Sequence, residues 1–185
     1  GQQPFHHPIW KQRVPRDTGA GWDFEDVRDH YLATLFKVDP MQLRYADMAR
    51  YLYMSRVVTG EVMARTIAEW RREASPCQGA LIWFLRDLWP GAGWGVIDAH
   101  GVPKAAYFAL KRVMQPQAVV ISDEGLNGLV LHVFNDQALP IAGEINLRLV
   151  RHGEVQVAEA VQAVHVPAHG SLGLRADAMF QHFVD

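Results

Sequence analysis

A single cysteine, Cys77, stands among 185 residues. That excludes an internal disulfide and any multi-cysteine metal site, and it leans the reading toward a reducing, cytoplasmic compartment. Net charge is also scarce: 18 Lys and Arg against 20 Asp and Glu leave −2. Basic residues stand singly or in pairs, such as Arg71-Arg72 and Lys111-Arg112, so no phosphate-tracking surface and no nucleic-acid partner is expected. No run approaches the roughly 20 apolar residues of a membrane span, so no membrane partner is expected either. The opening Gly1–Pro4 is polar and leads into His6-His7-Pro8, unlike a secretory signal. No carboxylate or cysteine stands at ligand spacing from His6, His7 and His30, and no metal or cofactor is expected.

What is present is ordinary globular composition, 49% hydrophobic and 21% charged, enough for one good core or two small ones. The first two dozen residues read as an irregular loop. Asp23, followed by Asp26 three residues on, caps a helix whose Phe24, Val27, Tyr31, Leu32 and Leu35 recur at helical spacing. Asp39-Pro40 opens the next, with proline where a missing N–H costs nothing. Met41, Tyr45, Met48 and Leu52, then Met63, Ile67 and Trp70, predict helix from Pro40 to about Glu73, bent near Thr59-Gly60. The Met and Tyr residues from Met41 to Met63 read as its inner stripe.

The period then changes. Ser75-Pro76 stops the helix, and Gly79–Leu85 is a short continuous apolar run that suits a strand buried on both faces. A loop rich in Gly and Trp follows, and Pro103 begins a helix with Ala106, Leu110 and Val113 on one face. After Pro116, Val119–Ile121, Leu129–Val133 and Ile145–Leu149 alternate at period two. Turn signals lie between them at Asp123–Gly125, Asn135-Asp136, Arg151–Gly153 and Ala168–Gly170. These predict an antiparallel sandwich.

The segment Cys77–Pro90, CQGALIWFLRDLWP, resembles the last barrel strand of family 2 glycoside hydrolases of the β-mannosidase type. Their pattern there is Gly-Ala or Gly-Thr, an apolar pair, Trp, an Asn/Asp step and Trp-Pro. Gly93–Asp98 and Gly101–Arg112 continue the likeness through Gly-x-Pro-Lys and Tyr-x-x-Lys-Arg. Tyr51–Ser55 through Arg72 resembles the penultimate barrel helix, and Val166–Ser171 part of the appended sandwich. The resemblance implies an α/β plus all-β fold. Residues 1–116 would form the C-terminal part of a (β/α)8 TIM barrel, and 117–185 an immunoglobulin-like β-sandwich short of its last strand. It implies a retaining exo-glycosidase acting on terminal β-linked sugars such as β-mannosides. The chain would begin after both family glutamates, so it would hold no catalytic residue and be inactive alone.

The substrate-binding candidates are Trp83, Asp87, Trp89 and Trp94. Trp83, at the end of the last strand, would stack on a sugar face; the competing reading is a core tryptophan. Asp87 would hydrogen-bond a hydroxyl or orient a neighbour, against a loop-capping role. Trp89 and Trp94 flank Pro90–Gly93 and would line a subsite rim, against loop anchoring. Arg86 departs from the amide the family often carries. Asp98 and Lys104 are expected to pair and pin the loop. Two partners are expected besides carbohydrate: the remainder of the barrel, and a second copy through the unladdered Gly79–Leu85 run. The alternative is a non-catalytic carbohydrate-binding or scaffold module. It is disfavoured because from Gln117 onward the aromatics are only Phe134, Phe180 and Phe183.

Overall fold

The computed structural model describes Gly19, residues 21–77 and residues 79–180. His6, His7, Phe183 and nearly all of the expected N-terminal loop lie outside the described residues. The fold mixes helix and strand and divides into two compact units. One takes the described residues through Thr66 with Ala80–Lys111; the other takes Ile67–Gly79 with the described residues from Arg112 onward.

Helix α1 spans Phe24–Phe36, and its start is set by chemistry visible in the sequence. The Asp23 carboxylate accepts from the backbone N–H groups of Glu25 and Asp26, and Asp26 returns a bond to the Asp23 N–H. That reciprocal box satisfies donors every helix start leaves open. Helix α2, Pro40–Ala46, begins as expected, with Asp39 accepting from Gln42 N at 3.0 Å. The continuous helix predicted from Pro40 does not form. Asp47 breaks it and caps the N–H of Arg50 at 2.9 Å, so that α3 runs separately over Met48–Trp70. Aspartate favours this because its short carboxylate competes for nearby backbone donors.

The expected bend near Thr59-Gly60 is also absent, and α3 runs unbroken through both residues. Gly60 serves close packing instead: a Cβ built there would lie 3.1 Å from the Ala109 Cβ on α4, Ala105–Val113. The first unit's core is Leu32, Tyr51 and Val58, fully buried, with Leu35, Met48 and Leu52 against them. The inner stripe therefore differs from the one read in the sequence. Met41, Tyr45 and Tyr53 point to solvent, because spacings of three and four alone do not separate the two sides of a helix this polar. Tyr51 is buried beneath two guanidinium groups. Its hydroxyl accepts from Arg28 at 2.6 Å and Arg44 at 2.9 Å and donates to Asp29 at 2.6 Å. Burial and the bond to Asp29 hold its phenol above the ordinary range.

In the second unit the period-two runs are strands. β1 (Gln117–Asp123), β2 (Leu129–Asn135) and β5 (Gly170–Arg175) form one antiparallel sheet in the order β1-β2-β5. β3 (Ile141–Arg151) and β4 (Val155–Val166) form a second, two-stranded sheet. A short α5, Ala176–Met179, follows. Leu131, Val133, Phe134 and Val166 are its buried centre. Buried Asn135 ties two turns together, donating to Leu139 O and Pro167 O, each at 2.9 Å, and accepting from Gln137 N. Arg71 lies over the Phe134 ring at 4.5 Å and donates to Gln115 O at 3.0 Å and Asp136 at 2.9 Å.

The predicted strand Gly79–Leu85 is the main departure. No strand forms there; Leu81 is 100% and Leu85 65% exposed. Among the described residues the only bridges nearby are isolated, Arg86 with Ile97 and Ile97 with Pro103. A strand's amides and carbonyls need at least one neighbour to ladder with, and among the described residues no strand pairs with this run.

Candidate functional site

All four candidate residues stand on the loop between Gly79 and α4, within the first unit. Its framework is a short parallel contact between Phe84–Asp87 and Val96–Asp98. Ile97 N donates to Leu85 O at 2.9 Å, and Asp87 N to Ile97 O at 3.0 Å. Lys104 N then donates to Val96 O at 2.9 Å, which fastens the loop to the start of α4.

Asp87 is the pin of this loop. It is buried, and its Oδ1 accepts from the Gly95 N–H at 2.8 Å while its Oδ2 meets the Lys104 ammonium at 2.5 Å. Lys104 also donates to Gly93 O at 3.2 Å. The loop closes on Asp87 tightly enough to require glycine twice. A Cβ on Gly93 would fall 2.3 Å from Asp87 Oδ1, and one on Gly95 would fall 2.5 Å from the Asp87 nitrogen.

The expected Asp98–Lys104 pair is thus replaced. Asp98 caps its own turn, accepting from Val102 N at 2.8 Å and His100 N at 2.9 Å. Those backbone donors, Val102 first, hold its carboxyl below the usual range. Sequence reasoning paired Lys104 with the nearer carboxylate and missed the one seventeen positions back. The glycines at 93 and 95, two apart, were the only local signal of a buried group beneath the loop.

The tryptophans face outward. Trp83 is 74% exposed and meets Phe84 edge-on, with ring centroids 6.1 Å apart. Trp89 is 51% exposed. Trp94 is 41% exposed and meets Phe24, at the start of α1, edge-on at 6.0 Å. One pinned loop therefore carries a buried carboxylate and three accessible indoles. It presents apolar ring faces held at a fixed place, an arrangement suited to stacking and devoid of a paired acid and base. Among the described residues no group of His, Cys, Asp and Glu is arranged to hold a metal, and no helix is long and apolar enough to cross a membrane.

No family model matches the chain. It is 29% identical over 182 residues to β-mannosidase B of Aspergillus niger, covering 88% of this chain and 22% of that protein. It is 37% identical over 114 residues to β-mannosidase B of Aspergillus terreus, covering 60% of this chain and 14% of that protein. The chain thus spans about a fifth or less of the length of these relatives. Among solved structures, the β-D-mannosidase of Dictyoglomus thermophilum is 27% identical with a TM-score of 0.54, over 69% of this chain and 16% of that one. An exo-β-D-glucosaminidase inhibited by a glucosamine-configured castanospermine and an amino-australine analogue shares the fold at 15% identity and a TM-score of 0.67, over 89% of this chain and 20% of its own. The similarity to β-mannosidase-type glycoside hydrolases rests on both sequence and structure.

Proposed function

We propose that this β-mannosidase-like segment of a family 2 glycoside hydrolase supplies part of the sugar-binding wall of its parent enzyme. The parent is a retaining exo-glycosidase that removes terminal β-linked sugars, β-mannosides first among them. Residues 1–116 belong to the end of its (β/α)8 barrel and 117–185 to an immunoglobulin-like sandwich. The catalytic glutamates lie outside this chain. Trp83, Trp89 and Trp94 form the platform, and Asp87 acts from beneath by fixing the loop, with its oxygens turned to Gly95 and Lys104.

The observation that carries this reading is the exposure of Trp83 on a loop pinned by a buried ion pair. A large indole costs solvation when left bare, and stacking on the C–H face of a sugar covers it. The apolar run from Gly79 to Leu85 is the eighth barrel strand of the parent, and the remainder of the barrel covers Leu81 and Leu85. Relatives of this chain named as β-mannosidases support the substrate class.

The test is Trp83→Ala in the full-length parent, with melting temperature and kcat/KM measured on one sample. Loss of a stacking platform is worth about 1–3 kcal/mol by analogy with base–aromatic stacking, or about ten- to a hundredfold in kcat/KM. Stability is expected to hold. Activity that falls only in proportion to the folded fraction would refute the platform. The isolated chain is expected to show no turnover of a nitrophenyl β-mannoside.

A further inference from the structure

The second sheet has an open side. β3 is an eleven-residue strand paired only with β4, and among the described residues nothing pairs with its other edge. The irregularity of that ladder falls on β4, where Val157 is the extra residue, so β3 keeps an even alternation throughout. Ile145 and Leu147 are half-buried; Glu144, Asn146 and Arg148 between and beside them are exposed. Where β3 ends its sheet, a cleft of about 560 Å³ opens between it and the β1-β2 sheet, lined by Val119, Val133, Ile145 and Val164. Val119 is 50% exposed there, although its cross-strand neighbour Val133 is buried.

We propose that this edge is an interface for a second copy of the chain, β3 pairing antiparallel with β3 of the partner about a two-fold axis at Asn146. The charges on the strand select that occupant and that register. Glu144 stands opposite the partner's Arg148 and Arg148 opposite the partner's Glu144, while Ile145 and Leu147 exchange places across the axis. A shift by two residues sets Glu144 against Asn146 or Val150 and loses both pairs; a shift by one turns the apolar face outward. Arg148 engages Glu159 through Nε at 3.2 Å, which leaves its terminal nitrogens to reach across. The open edge of β1 has no such complement, because Asp123 is its only charged residue. Pairing at β3 makes one four-stranded sheet with both apolar faces on the same side, and it brings the cleft-lining Val119 of the two copies toward the axis and out of water.

This inference is independent of the glycosidase reading, and its test involves no sugar. Sedimentation velocity over a concentration series is run on the chain, on Glu144→Arg, on Arg148→Glu, and on an equimolar mixture of the two variants. The unaltered chain is expected to dimerise. Each variant sets like charges opposite one another twice and raises Kd by at least about tenfold. The mixture restores both pairs, so it recovers dimers, which native mass spectrometry shows to contain one copy of each variant. Both positions are exposed, and a circular dichroism melt on each sample checks that the fold is retained. A monomer at every concentration overturns the proposal. So does a dimer that both variants leave intact, which would run through Leu81 and Leu85 or another edge, and so does a mixture that stays monomeric.

Discussion

Replacing Lys104 with methionine removes the cation from a carboxylate that has nowhere to go. The Asp87 side chain is 4% exposed and, among the described residues, keeps only the Gly95 N–H once the ammonium at 2.5 Å is gone. Breaking a buried pair by removing one partner costs about 3–5 kcal/mol. Here the Lys104 side chain is 30% exposed, so water reaches part of the vacated space, and the expected loss is discounted to about 2–3 kcal/mol. For a chain of this size that is a fall of about 5–10 °C in melting temperature. Asp87→Asn keeps an acceptor for Gly95 and removes the charge, so the double variant is expected to be more stable than Lys104→Met alone. A double-mutant cycle, read by thermal or urea unfolding, should therefore give a coupling of about 1–2 kcal/mol. Additive effects, with coupling within about 0.5 kcal/mol, would refute the claim that this pair pins the loop.

Gly60→Leu places a side chain where even a Cβ lies 3.1 Å from that of Ala109, and it should destabilise the first unit by about 1–3 kcal/mol in urea unfolding. Arg71→Ala removes the cover of Phe134 and donors to Val113 O, Gln115 O and Asp136; a loss of about 2–4 kcal/mol is expected by thermal unfolding. His132 is held below 6.5 by burial and then by Arg72, so the unfolded chain binds the proton first. Stability should therefore fall as pH drops from 6.5 through the lowered value, and His132→Gln should flatten that part of a melting-temperature profile. Glu124, lowered by Ser122 and then Arg72, adds a second loss below 4.5 as it protonates.

Local chemistry was the most legible part of this sequence. Asp23 with Asp26, and Asp39 with Pro40, mark helix starts because a cap is decided by residues three apart. The strands from Gln117 onward were legible for a similar reason. Neighbouring strands such as β1 and β2 or β3 and β4 are joined by short turns, so each carries its partner close by in the chain. Asp47, three residues before Arg50, stands within the spacings of the helix predicted from Pro40, and its cap was not read there. The Asp87–Lys104 pair was not readable. Asp98 is nearer in sequence and equally charged, and only the folded loop shows that its carboxylate is already committed to its own turn.

The run from Gly79 to Leu85 fails as a strand for a reason that separates two kinds of sequence signal. Helix α3 closes its own hydrogen bonds within one turn, so its pattern is a statement about itself. A continuously apolar strand closes none of its own; its pattern is a statement about neighbours that must flank it and layers that must cover it. Where those neighbours are not among the described residues, the apolar signal persists without its structure, as full exposure of Leu81 and 74% exposure of Trp83. The loop beyond it keeps its shape because Asp87, Gly95 and Lys104 bring their partners with them. The candidate residues on that loop are therefore positioned by a device contained in the chain. The apolar run before it has no such device among the described residues, and the two should separate experimentally. Disrupting the ion pair should alter the loop in the isolated chain, whereas hydrogen exchange along Gly79–Leu85 should stay fast there with or without it. Slow exchange across that run in the isolated chain would show that its amides have found partners.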